Sequence, residues 1–125
     1  MHRSMFQVYV NGSIEAAKFY MKAFGAKLVW EVFDDDKKFY LHSELDVYGQ
    51  ILAVGEATPE SGERIAGNTM QLCFHFGEGK EDIVRNAYEV LKDGAQIHTP
   101  IGQCFFSKLM FGLIDKYGVN WCVFV

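Results

Sequence analysis

Apolar and polar residues trade places along this chain with two different periods, and the switches between them mark the elements. Over residues 5–10, Phe6, Val8 and Val10 alternate with Met5, Gln7 and Tyr9, the period of a strand with one face against a core. From Ile14 the period lengthens. Ile14, Ala17, Tyr20, Met21 and Phe24 fall on one stripe at about 100° per residue, with Glu15, Lys18 and Lys22 opposite. Gly12-Ser13 supplies a turn and an N-cap oxygen for this helix, and Gly25 the left-handed residue that ends it. Gly25→Val is therefore expected to be far more damaging than Gly62→Val, because Gly25 is the glycine expected to need φ > 0. Strands follow at 27–33, 39–46 and 50–55. Asp34-Asp35-Asp36-Lys37-Lys38 lies between the first two as a solvated hairpin tip, a simpler account of three neighbouring carboxylates than a metal site.

The same order then repeats. Residues 70–76 alternate Leu72, Phe74 and Phe76 with Gln71, Cys73 and His75. Residues 80–93 carry Ile83, Val84, Ala87, Val90 and Leu91 on one helical face, with Glu81 and Asp82 in the first turn and Gly94 as the stop. A short strand at 95–98 is expected to break at Thr99-Pro100, a long aromatic stretch fills 102–114, and a last strand covers 119–125. Gly25-Ala26 and Gly94-Ala95 are 69 positions apart, as are Ile14 and Ile83, and Asp46-Val47-Tyr48-Gly49 and Asp115-Lys116-Tyr117-Gly118. The first strands match at 66. Several pairs in one register argue for a duplicated unit: repeats 1–57 and 68–125, joined by a polar Pro- and Gly-containing linker at 58–67. Each repeat is strand, helix and three strands, an α+β fold of two βαβββ modules forming a cupped, mostly antiparallel sheet in one domain.

Helices on one face of a sheet leave the other face to be accounted for. By strand parity that face carries Met5, Gln7, Tyr9, His42, Glu44, Ile51 and Ala53 from the first repeat. From the second it carries Gln71, Cys73, His75, Leu109, Phe111, Asn120, Cys122 and Phe124. The mixture is too apolar for water and too polar for plain core. Two curved sheets would enclose it as a small-molecule cavity, apolar with a few directed polar groups.

Composition narrows the partners. Twelve Lys and Arg against 16 Asp and Glu give a formal charge of −4, without the basic stripe that nucleic acid demands. No apolar run approaches the ~20 residues of a membrane span. The opening MHRSMF lacks the apolar region of a signal peptide, so a cytoplasmic location is expected. Three cysteines without C-x-x-C spacing read as reduced, buried thiols. Gly77-Glu78-Gly79 precedes a helix but lacks the rest of a phosphate loop.

Three stretches together resemble the vicinal oxygen chelate superfamily (glyoxalase I, bleomycin-resistance proteins, extradiol dioxygenases), and within it the PhnB-like group. They are Val10-Asn11-Gly12 through Ala16-Ala17-Lys18-Phe19-Tyr20 to Ala23-Phe24-Gly25-Ala26, the strand His42-Ser43-Glu44-Leu45, and the closing Asp115-Lys116-Tyr117-Gly118-Val119-Asn120-Trp121. The resemblance implies paired βαβββ modules around a cupped cavity and, commonly, a homodimer. Metal-using members hold their ion through His, Glu or Gln on the first and fourth strands of each module. Alignment on these landmarks puts Met5, Ala53, Gln71 and Cys122 at those corners. A thioether, a methyl, an amide and a thiol do not make a site for a hard divalent ion, so no cofactor and no tightly bound transition metal are expected.

Other polar residues each have two readings. His42 and Glu44, two apart on a strand, could serve as acid and base or bind a ligand amine; the alternative is a cross-strand pairing of carboxylate and imidazole. His75 is either satisfied within the fold or a ligand contact. His42, Glu44 and His75 suit a metal by residue type alone. Cys73 and Cys122 are nucleophile candidates without a neighbouring base, or small hydrophobes. The function expected first is small-molecule binding. A metal-dependent lyase, isomerase or dioxygenase with displaced ligands is the alternative, and a dimer whose cavity is filled by its own side chains is a third.

Overall fold

The computed structural model describes residues 1–125, all but the side chain of residue 61. The chain forms two units, Met1–Ile65 and Ala66–Val125. The first holds β1 (Phe6–Val10), α1 (Ser13–Phe24), β2 (Lys27–Phe33), β3 (Tyr40–Val47) and β4 (Gln50–Glu56). The second holds β5 (Leu72–His75), α2 (Glu81–Leu91), β6 (Gln96–Gly102), β7 (Met110–Ile114) and β8 (Asn120–Phe124). Each unit is one four-stranded mixed sheet, ordered β1-β4-β3-β2 and β5-β8-β7-β6. In each, the first strand pairs parallel with the fourth and the remaining pairs are antiparallel. The α+β architecture of two βαβββ modules expected from the repeat is what the chain adopts. No helix among the described residues is long and apolar enough to cross a membrane.

Helix α1 starts differently from the expectation. Gly12 takes the cap position with φ 87°, and no side chain caps there. Ser13 is inside the helix and buried, so its Oγ turns to the sheet and accepts the Tyr40 N–H at 2.8 Å. The orphan N–H groups of Gly12 and Ser13 donate instead to the Glu56 carboxylate, at 3.0 and 2.9 Å. A carboxylate from the end of β4 thus supplies the acceptor that a local cap would have. The helix stops at Gly25 with φ 62°. Its buried residues are Ser13, Ala16, Ala17, Tyr20, Ala23 and Phe24, so the buried stripe is turned toward the alanines. Helix α2 buries Val84, Ala87 and Leu91, from the expected face.

Each core lies between its helix and its sheet. Val10, Tyr20, Phe24, Leu45, Leu52 and Val54 fill the first; Val84, Leu91, Phe111, Leu113, Trp121 and Val123 fill the second. Burying each large side chain stabilises the fold by about 1.5–3 kcal/mol. The Trp121 indole N–H donates to Asp115 Oδ2 at 2.8 Å, so this core residue leaves no buried donor unmet.

The hairpins that precede β4 and β8 differ by one residue. Val47 pairs with Gln50 around Tyr48 (φ 50°) and Gly49 (φ 94°), a two-residue loop with both residues left-handed, as type I′ requires. In the second unit Gly118 N–H donates to Asp115 C=O, and Asp115 N–H donates to Val119 C=O. Gly118 has φ 87°. That is a three-residue loop, a type I turn followed by a left-handed glycine. The extra residue shifts β7 by one, and a one-residue shift moves every side chain to the opposite face.

Strand boundaries near β6 also depart from expectation. β6 runs through Pro100 to Gly102 with irregular register, which is tolerated because β6 is an edge strand and Pro there forfeits no ladder bond. Beyond Gly102, where β6 ends, only Met110–Ile114 of the stretch 102–114 is strand. The loop before it is braced by Ser107, whose hydroxyl donates to Val125 C=O at 2.7 Å. The tip after β2 is a turn in which Asp34 Oδ1 accepts the N–H groups of Lys38 and Phe39 at 2.6 and 3.1 Å.

Candidate functional site

Register fixes which side chains share the sheet face turned away from each helix. In the first unit one row across the sheet reads Gln7, Ala53, Glu44, Trp30. Glu44 is 4% exposed, yet it carries a charge network. Arg3, from the segment before β1, meets both of its oxygens, Nη1 to Oε2 at 2.9 Å and Nη2 to Oε1 at 2.7 Å. His42 Nε2 lies 3.0 Å from Oε1. The pair is therefore a triad, His42–Glu44–Arg3, with His42 and Glu44 joined along one strand rather than across two. The two-pronged Arg3 contact, and then the His42 bond, hold the Glu44 carboxyl down to about 2. Glu44 is a fixed anion at neutral pH and a weak base. With its Nε2–H turned to the carboxylate, neutral His42 presents Nδ1 as an acceptor. Trp30 stands edge-on to the His42 ring, centroids 5.2 Å apart. Tyr9 lies over Gly55 and accepts a hydrogen bond from Gln7 at 2.7 Å.

In the second unit the matching row reads Cys73, Cys122, Gly112, Thr99. The His98 ring lies over Gly112, where an added Cβ would collide with Cε1. His98 Nε2 bonds Asn120 Oδ1 at 3.1 Å and its Nδ1 bonds Thr99 Oγ1 at 3.0 Å, an arrangement that suits the Nε2–H tautomer with Thr99 as donor. Gln71 donates to Asn120 Oδ1 at 3.3 Å and lies 3.4 Å from Trp121 C=O. Asn120 donates to Met70 C=O at 3.3 Å. His75 stacks on Phe124, centroids 4.5 Å apart and planes 13° from parallel. Burial first, then the neighbouring Cys73 thiol, pushes Cys122 up to about 11. Cys122 is thus a neutral thiol at pH 7, not an activated nucleophile.

Phe111, expected on the open face, is not there. It is fully buried on the helix side, its ring 5.1 Å from that of Tyr88 of α2, and Leu109 shares its parity. The cause is the three-residue loop after β7, which puts Met110, Gly112 and Ile114 on the open face in their place. Met5 lies one residue before β1, half-buried, while Ala53 is fully buried. Gln7, Tyr9, His42, Glu44, Cys73, His75, Asn120 and Cys122 have the parity expected of them. His42 and Glu44 belong to the first unit and His75 to the second. No three His, Cys, Asp or Glu among the described residues gather into a group able to hold a metal ion.

Sequence reasoning missed Arg3, Trp30 and His98. Arg3 is 41 positions from Glu44 and no local pattern marks it. Trp30 and His98 sit on strands whose bulges blur their parity.

The family model for the Glyoxalase/Bleomycin resistance protein/Dioxygenase superfamily matches residues 3–123. Among solved structures, protein PA1353 from Pseudomonas aeruginosa is similar at 18% identity and TM-score 0.81, covering 99% of this chain and 97% of its own. A PhnB protein from Bacillus cereus, described as a putative 3-demethylubiquinone-9 3-methyltransferase, is similar at 21% identity and TM-score 0.80, with 98% of each chain covered. A mutant of the fosfomycin resistance protein FosX from Listeria monocytogenes, complexed with Mn(II) and 1S,2S-dihydroxypropylphosphonic acid, reaches 12% identity and TM-score 0.70 over 98% of this chain and 90% of its own. At these identities the likenesses speak for the fold alone. Comparison with curated proteins gives no match. Two βαβββ units and a family match over nearly the whole length lead to one conclusion: the chain belongs to the glyoxalase/bleomycin resistance/dioxygenase, or vicinal oxygen chelate, superfamily.

Proposed function

We propose that this chain is a PhnB-like, small-molecule-binding protein that works as a cytoplasmic homodimer and takes its ligand on the open face around His42, Glu44 and Trp30. The observation that carries this reading is the triad itself. A nearly buried carboxylate held ionised by Arg3, an imidazole with one nitrogen left as acceptor, and an exposed indole edge all stand on one sheet face. Such a set suits a ligand with a cationic or hydrogen-bond-donating head and a flat apolar body. The PhnB assignment draws on the opening and closing motifs and on the likeness to the Bacillus cereus protein.

The family's metal does not fit the corner residues. Ala53 has no donor atom. The Gln71 amide is engaged with Asn120, and Met5 and Cys122 offer neutral sulfur where a hard divalent ion needs oxygen or imidazole.

Thermal-shift screening against small amines and aromatic metabolites tests the reading. A binder at 100 times its Kd should add about 2.7 kcal/mol of stability, and His42→Ala or Glu44→Gln should abolish the shift in folded protein. A hit unaffected by both substitutions, or no hit at all, would count against it. The metal-dependent alternative draws on the Mn(II) named for the FosX complex. It would be favoured by activity that chelator removes and one divalent ion restores. A monomeric scattering mass would remove the homodimer.

A further inference from the structure

The open faces of the two units carry donors of opposite character. Where the first sheet has Gln7, Ala53 and Glu44, the second has Cys73, Cys122 and Gly112. Cys73 and Cys122 are direct partners on adjacent parallel strands, one exposed and the other 8% exposed. Both are free thiols. Met110 stands on the same face one diagonal step from Cys122, opposite Phe124.

Strand spacing decides what such a pair can do. Adjacent strands lie about 4.8 Å apart, and side chains leaving a parallel pair at one level can run side by side with their sulfurs at a similar separation. A disulfide needs Cβ atoms about 3.8 Å apart and an S–S bond of about 2.05 Å, closer than the spacing of two strands. Two thiolates on one soft cation, each about 2.3 Å from it, span roughly 4–4.6 Å, a separation the ladder already supplies. Thiolate sulfur also selects soft ions over hard ones.

We propose that Cys73 and Cys122 form a two-coordinate site for a soft monovalent cation of the Cu(I) class. Uptake of one ion displaces one proton from each thiol and leaves a dithiolate complex of charge −1; no oxidant takes part. Cys104, the third cysteine, lies in the loop after β6. It does not complete a three-residue metal-holding group, so the site is a pair. The expectation that no transition metal binds tightly is thereby narrowed to hard divalent ions. The site uses residues of the second unit alone and does not rest on the ligand reading above.

The test is competition for Cu(I) between the reduced full chain and a chromophoric chelator under anaerobic conditions, with circular dichroism confirming each variant's fold. One Cu(I) per chain should be withdrawn, and the exposed Cys73 thiol should cease to react with maleimide. Cys73→Ala, at an exposed position, should weaken retention about 100-fold or more, because the second thiol's effective concentration is lost. Cys104→Ala should leave retention unchanged within about 2-fold. No uptake by the native chain, uptake indifferent to Cys73→Ala, or equal loss in Cys104→Ala would each overturn the proposal.

Discussion

Glu44 is where a single residue's environment reaches furthest. Its carboxyl lies at about 2 in the folded chain against an ordinary 4.5, chiefly because of Arg3 and next because of His42. The folded state therefore binds that proton less tightly than the unfolded one, and the stabilisation is complete above about pH 4.5 and lost as the pH falls toward 2. In denaturant titrations between pH 4.5 and 2, the native midpoint should fall more steeply than that of Glu44→Gln. At pH 7 the variant should be less stable by about 1–3 kcal/mol. Equal slopes would mean that Glu44 is not the group responsible. The glycine contrast needs a different control. Gly25 has φ 62°, but Gly62 has φ 84° with ψ −173°, a conformation close to glycine-only, so both positions resist a side chain. Gly67 has open space and no left-handed φ. Gly25→Val should cost about 1–2 kcal/mol or more, against a few tenths for Gly67→Val, as thermal melts would show.

Among the elements, the paired hairpins say most. Asp46 and Asp115 occupy matching places in the repeat but do different work. Asp46 accepts one N–H, from Gly49. Asp115, buried, accepts from Tyr117, Val119 and the Trp121 indole. Asp115→Ala would strand a buried indole N–H and two loop amides and should cost about 2–4 kcal/mol, while Asp46→Ala should cost about 1; chemical denaturation separates them. The one-residue difference in loop length also explains the misplacement of Phe111. D-V-Y-G and D-K-Y-G look alike in sequence, but only the backbone reveals that one closes with two residues and the other with three. Gly112 is tied to this hairpin as well. Gly112→Ala would drive a methyl into the His98 ring and should release His98 from Asn120, costing about 1–3 kcal/mol. An unchanged His98 side-chain NMR signal would contradict that.

At the scale of the whole molecule, two units of one design bear different chemistry. The first carries an ionised carboxylate with its arginine and histidine; the second carries two thiols, an amide cluster and stacked rings. Neither reproduces a family metal site. Added Mn(II) is accordingly expected to leave the melting temperature unchanged, whereas a ligand for the His42–Glu44 face should raise it. A rise with Mn(II) that needs His42 would bring the metal-dependent alternative forward.

The strand–helix–strand order, the duplication and the helix-side cores were set by periodicity and by glycine and proline placement, which act over a few neighbouring residues. The family followed from those same motifs. Three features came from the folded chain alone: the face to which β7 turns, the carboxylate that caps α1, and the pairing of Arg3 with Glu44. Each joins segments remote in sequence or turns on one residue of loop length, and neither leaves a local period to read.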